Sequence, residues 1–179
     1  MADKKYELLK DDTIKTSGKT LYRIKALKSF TRKNGGSVKS GELGGYIESE
    51  ENLSQDGTCW VADDAIVYGK AKVIQDAIIY DSVMVYGEAS VYENARITDD
   101  VKIYGKAKVH GNSRLENSAE IFGNADVDGD ANIGQDAKVY GNAKITFAAE
   151  IFGTAEVCGD SVVKNALIQD GKHDDFDDQ

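Results

Sequence analysis

AIVYGKAKVIQDAIIYDSVMVYGEASV, residues 65–91, repeats one six-residue unit: small, variable, aliphatic, variable, turn, turn. Extended in both directions, the unit runs through eighteen consecutive hexads with no residue inserted or deleted. Its aliphatic position moves in steps of six from Val61 through Val85, Val109 and Val139 to Val163. Two residues before each stands a small side chain, alanine in thirteen cases, with Cys59, Val83, Val101, Ser113 and Ser161 as the variants. Along an extended segment alternate side chains point to opposite faces, so the small and aliphatic residues share one side. Gly69, Gly87, Gly105 and six further glycines stand at the first turn site, where a positive φ allows a sharp corner. A short fixed period of strand and corner defines a β-solenoid, an all-β fold.

A second period gives the cross-section. The aromatic-Gly pair recurs every 18 residues, at Tyr68, Tyr86, Tyr104, Phe122 and Tyr140, and ends as Cys158-Gly159. Three hexads therefore close one coil and the coil is a triangle. Six such coils at the inter-strand spacing predict a prism roughly 29 Å long.

The runs AIVYGKAKV (65–73), DVKIYGKAKV (100–109), AEIFGNADV (119–127) and AKVYGNAKI (137–145) resemble the hexapeptide-repeat, left-handed parallel β-helix family. Residues 41–61, GELGGYIESEENLSQDGTCWV, and 20–27, TLYRIKAL, are similar to phage- and prophage-encoded members often labelled putative transferases. The resemblance covers nearly the whole chain. It implies left-handed coils and homotrimers, and a family containing both acyltransferases and non-enzymes.

Flanking segments divide the chain into a small N-terminal β cap at 1–58, the β-helix at 59–166 and an acidic, flexible tail at 167–179. Tyr6–Leu9 and Thr20–Leu27 read as cap strands, Asn34-Gly35-Gly36 as a turn, and Ser37–Lys39 as a short strand. After Val163 the repeat slips by one residue, at Ala166 and Ile168. The net charge of −9 is uneven: residues 1–40 carry 11 basic against 4 acidic side chains, and the remainder 11 against 27. That balance argues against a general nucleic-acid binder. Cys59 and Cys158 fall on inward and outward positions five coils apart, too far for a bridge within one chain. No apolar run reaches membrane-spanning length and the start lacks a signal-peptide core, so a cytoplasmic location is expected, that of the host cell if phage-encoded.

The triangle gives three outer faces. The first carries Ile66, Tyr68, Met84, Tyr86, Tyr104, Phe122 and Tyr140, an aromatic ladder expected at a subunit interface, with self-stacking as the purely structural account. The second places His110 beside Asp128 on successive coils, the candidate base and its orienting carboxylate under an acyltransferase reading. The third stacks Arg96 on Arg114, like charges to be answered by Glu116 or by a partner's carboxylate or phosphate. Its first coils, at Trp60 and Ile78, are apolar and suit contact with the cap. No phosphate-cradling loop, metal-ligand spacing or nucleophile elbow is present. No metal and no cofactor is expected, acetyl-CoA entering only with the acyltransferase. The uninterrupted repeat, without the protruding loop such enzymes use, favours a non-enzymatic binding or assembly module acting on a host protein. A small-molecule or nucleotide sponge is the remaining alternative.

Overall fold

The computed structural model describes residues 4–33 and 35–174. It is an all-β parallel solenoid of about seven turns, with three sheets on its three faces. Each rung pairs with the rung 18 residues on, as in Ile66 with Met84, Arg96 with Arg114 and Lys108 with Asp126. The hydrogen bonds run along the rod: Ile66 N–H donates to the Val83 carbonyl at 2.9 Å and Tyr68 N–H to that of Val85 at 3.0 Å. Inside, the small and aliphatic positions form one continuous core in which Ala65, Val67, Ile97, Val127 and Ile151 are fully buried. Serine variants keep their hydroxyls satisfied: Ser113 Oγ donates to the His110 carbonyl at 2.7 Å and Ser161 Oγ to that of His173 at 3.0 Å.

The corners adopt left-handed backbone whether or not they carry glycine. Gly105 has φ 72°, and a side chain there would meet the backbone of Gly123 at 2.9 Å. Asp81, Asn117 and even Phe147 take the same region, with φ of 54°, 59° and 55°. Phe147 is also the most exposed large apolar side chain among the described residues, at 58 %.

The cap is a long hairpin, β1 (Tyr6–Thr16) with β2 (Lys19–Ala26), antiparallel, with a bulge between Leu9 and Thr13. A smaller one joins β3 (Phe30–Thr31) to β4 (Ser37–Val38). The first strand thus runs well past the expected Tyr6–Leu9, because Thr13–Thr16 continue the pairing with β2 beyond the bulge. Of the expected Asn34-Gly35-Gly36 turn, Asn34 lies outside the described residues. β5 (Leu43–Ile47) pairs antiparallel with β2 and parallel with Ile66–Val67, so it is already a rung of the first face. This is one reason the solenoid exceeds the expected six coils.

The other reason lies at the far end. Leu167–Ile168 and Lys172–Asp174 pair in parallel with the last full rungs, so residues 167–174 do not fray as expected. Ile151 pairs with Ile168, a spacing of 17, which shows where the out-of-step residue is absorbed. Paired strands satisfy backbone groups that an open rung would leave unmade. The remainder of the expected tail, 175–179, lies outside the described residues.

The start of the rod presents carbonyls, since each rung's N–H groups point to the following one. The cap answers with donors. Lys5, 1 % exposed, sends its ammonium to the carbonyls of Asp56, Gly57 and Cys59 at 3.3, 3.4 and 3.0 Å. Tyr6 hydroxyl donates to the Leu53 carbonyl at 2.6 Å, and Asn52 Nδ2 to those of Gly69 and Ala71 at 3.1 and 2.9 Å. Burial lowers the Lys5 ammonium's pKa and raises that of the Cys59 thiol beside it.

Candidate functional site

The aromatic ladder forms as the 18-residue period requires. Tyr68, Tyr86, Tyr104, Phe122 and Tyr140 stack with centroids 5.2, 5.0, 4.9 and 4.8 Å apart and planes within 6° of parallel. Offset stacking of this kind stabilises the rod by itself. The upper part is not open. Leu21 of the hairpin, with Ile14 and Tyr46, packs against Ile66, Tyr68, Met84 and Tyr86, and leaves Ile66 8 % and Tyr68 7 % exposed. Tyr86, Tyr104, Phe122 and Tyr140 are half-buried, and the hairpin cluster does not extend to the last three. Tyr104 and Tyr140 hydroxyls reach Glu120 and Glu156 at 3.3 and 3.0 Å, carboxylates that also face Lys102 and Lys138. Burial, and the Glu120 carboxylate beside it, push the Tyr104 hydroxyl up to about 12.

On the second face the structure brings His110 to Asp128, with Nδ1 and Oδ1 3.2 Å apart. It adds partners the period did not reveal. Nε2 lies 2.9 Å from Asp126 Oδ1, Nδ1 lies 3.7 Å from Glu93 Oε2, and the ring stacks on Tyr92 at 4.4 Å. Asp126 is 16 residues on, leaning across its own strand, while Glu93 sits at a corner one coil back. A search at a spacing of 18 misses both. Gly111 N–H donates to Glu93 Oε2 at 2.8 Å and Gly129 N–H to Asp128 Oδ1 at 2.6 Å, which fixes those carboxylates.

This geometry has a chemical consequence. A general base needs a lone pair aimed at its substrate. Here both ring nitrogens face carboxylate oxygens, Nε2 towards Asp126 and Nδ1 towards Asp128, which fixes the ring's orientation. Ligand-type atoms of Glu93, His110 and Asp128 lie within 4.8 Å of one another, so these three residues could hold a divalent cation, with Asp126 orienting the ring from outside.

The third face carries Arg96 and Arg114 in register, both exposed. A groove of about 320 Å³ runs beside them, lined also by Asn94, Asn112 and Asp130. At the top of this face Trp60 is fully buried under the cap, edge-on to Phe30 at 5.7 Å and to Tyr6 at 6.4 Å. The expected contact with the cap is therefore present here, and the hairpin adds a second one on the first face.

No protein-family model matches the chain, and no curated protein matches it. No helix among the described residues is long and apolar enough to cross a membrane.

Proposed function

We propose that the chain is a phage-type hexapeptide-repeat protein with left-handed coils, a non-enzymatic binding and assembly module working in the host-cell cytoplasm. In this reading the rod self-associates as a trimer through the open rungs of its first face and presents its other faces to a host protein. One observation carries it: Tyr104, Phe122 and Tyr140 form a stacked, half-buried aromatic surface that the hairpin cluster does not cover. The hairpin covers the upper rungs of the same ladder with Leu21 and Ile14, so apolar cover suits this chemistry. Aromatic rings are favoured at interface cores.

The engagement of both His110 nitrogens supports a non-catalytic role. A thermal-shift titration with acetyl-CoA tests it. No stabilisation across a millimolar range is expected, in the wild type or in His110→Ala. A rise in melting temperature lost in His110→Ala overturns the non-enzymatic reading in favour of the acyltransferase.

A further inference from the structure

We propose that the third face holds a binding site for a small phosphorylated anion with two adjacent charged groups, gripped by Arg96 and Arg114, with Arg96 held in place by Tyr80. The two guanidiniums are register partners on adjacent rungs, roughly 4.8 Å apart at the backbone. Like charges placed opposite each other in a sheet destabilise it. Here they are not neutralised: among the described residues neither arginine has an ion-pair partner within 4.0 Å, although Glu116 lines the same surface. An unanswered cationic pair is conspicuous in a segment, 41–179, with 11 basic and 27 acidic side chains.

A third guanidinium comes from the cap. Arg32 lies 5.2 Å from the centre of the Tyr80 ring, and Arg96 lies 5.4 Å from the same ring. Its Nε is buried without a hydrogen-bond partner. Tyr80 thus anchors two cations by their attraction to one π face system, which limits the motion of Arg96 before any ligand arrives. The loop bearing Arg32 and the solenoid bearing Tyr80 are remote in sequence, and only the docked cap brings them together.

Space and polarity set the ligand class. Grooves of about 320 and 240 Å³ flank the pair on its two sides. In the larger one Asn94 Nδ2 donates to Asn112 Oδ1 and Asn112 Nδ2 to Asp130 Oδ1, both at 3.0 Å. Asp130 closes the far end with negative charge, so an extended polyanion is repelled and a short one accommodated. Guanidinium forks match phosphate oxygens two at a time. Two forks one rung apart suit neighbouring phosphates better than a single one. The site differs from the aromatic face and every residue in it belongs to one chain.

Isothermal titration of the full chain with inorganic pyrophosphate, against orthophosphate and chloride at matched ionic strength, tests the site. One pyrophosphate per chain is expected, bound more tightly than orthophosphate. Arg96→Ala and Arg114→Ala, surface changes whose fold is checked by circular dichroism, should each weaken it by about tenfold or more. Arg96→Lys should weaken it as well, since it keeps the charge and loses the fork, whereas Lys108→Ala on the second face should leave it unchanged. The proposal is overturned if pyrophosphate gives no heat at millimolar concentration, if it binds no better than orthophosphate, or if both alanine variants bind as the wild type does. A monomeric mass in solution would remove the self-association reading and leave this site standing.

Discussion

Lys5 Nζ stands 3.0 Å from the carbonyl oxygen of Cys59 and 3.3 Å from its sulfur, so a buried ammonium closes the carbonyl-bearing end of the rod. A repeat array needs such a cap, because its first turn has no preceding neighbour. The hydrogen-bond direction along the solenoid decides the chemistry of the plug. Carbonyls point outward at this end, and Lys5, Tyr6 and Asn52 all act as donors.

Lys5→Met keeps much of the volume and removes the donor. Unsatisfied buried carbonyls cost about 1–3 kcal/mol each, so the variant should lose roughly 2–4 kcal/mol. A lower urea midpoint at unchanged secondary structure is the expected result. An unchanged midpoint would show that the desolvation of the ammonium offsets its bonds.

Glu48 ties the hairpin to the first corner. Its carboxylate pairs with Lys19 at 2.6 Å and accepts the Gly69 N–H at 2.7 Å. The Lys19 hydrogen bond, helped by that N–H, holds its pKa below the usual 4.5. A depressed acid stabilises the fold fully above its unfolded pKa, and the contribution fades as the pH falls through the folded value. The melting temperature of the wild type should therefore exceed that of Glu48→Gln at pH 6, and the gap should close below pH 4.5. A gap that is constant with pH would assign the effect to packing.

The corners predict opposite effects for two substitutions. Phe147→Gly relieves a bulky side chain from φ 55° and should stabilise by about 1 kcal/mol. Gly105→Ala puts a methyl 2.9 Å from the Gly123 backbone and should destabilise by more than that. Thermal unfolding of the pair checks both signs. Loss of stability in Phe147→Gly would mean that the exposed ring makes a contact worth more than its backbone strain.

Much of this fold was legible because its contacts are local in a periodic sense. A spacing of 18 places Met84 on Ile66, Arg114 on Arg96 and Asp128 beside His110, and the register follows. What escaped the sequence does not obey the period. The hairpin's length depends on pairing across a bulge at Leu9 and Thr13, and its docking on Tyr68 depends on shape rather than spacing. Asp126 reaches His110 by the lean of its side chain, and Arg32 reaches Tyr80 from a loop with no repeat at all. The tail misled for the same reason: Lys172–Asp174 carries no hexad signature, yet its backbone pairs with Glu156–Cys158.

The mass in solution, by light scattering, tests the proposed assembly most directly. Three chain masses are expected for the wild type and one for Tyr104→Arg combined with Tyr140→Arg, with the β spectrum unchanged in both. A wild type that scatters as a single chain would contradict it, and would leave the aromatic ladder as a device for stacking the rod on itself.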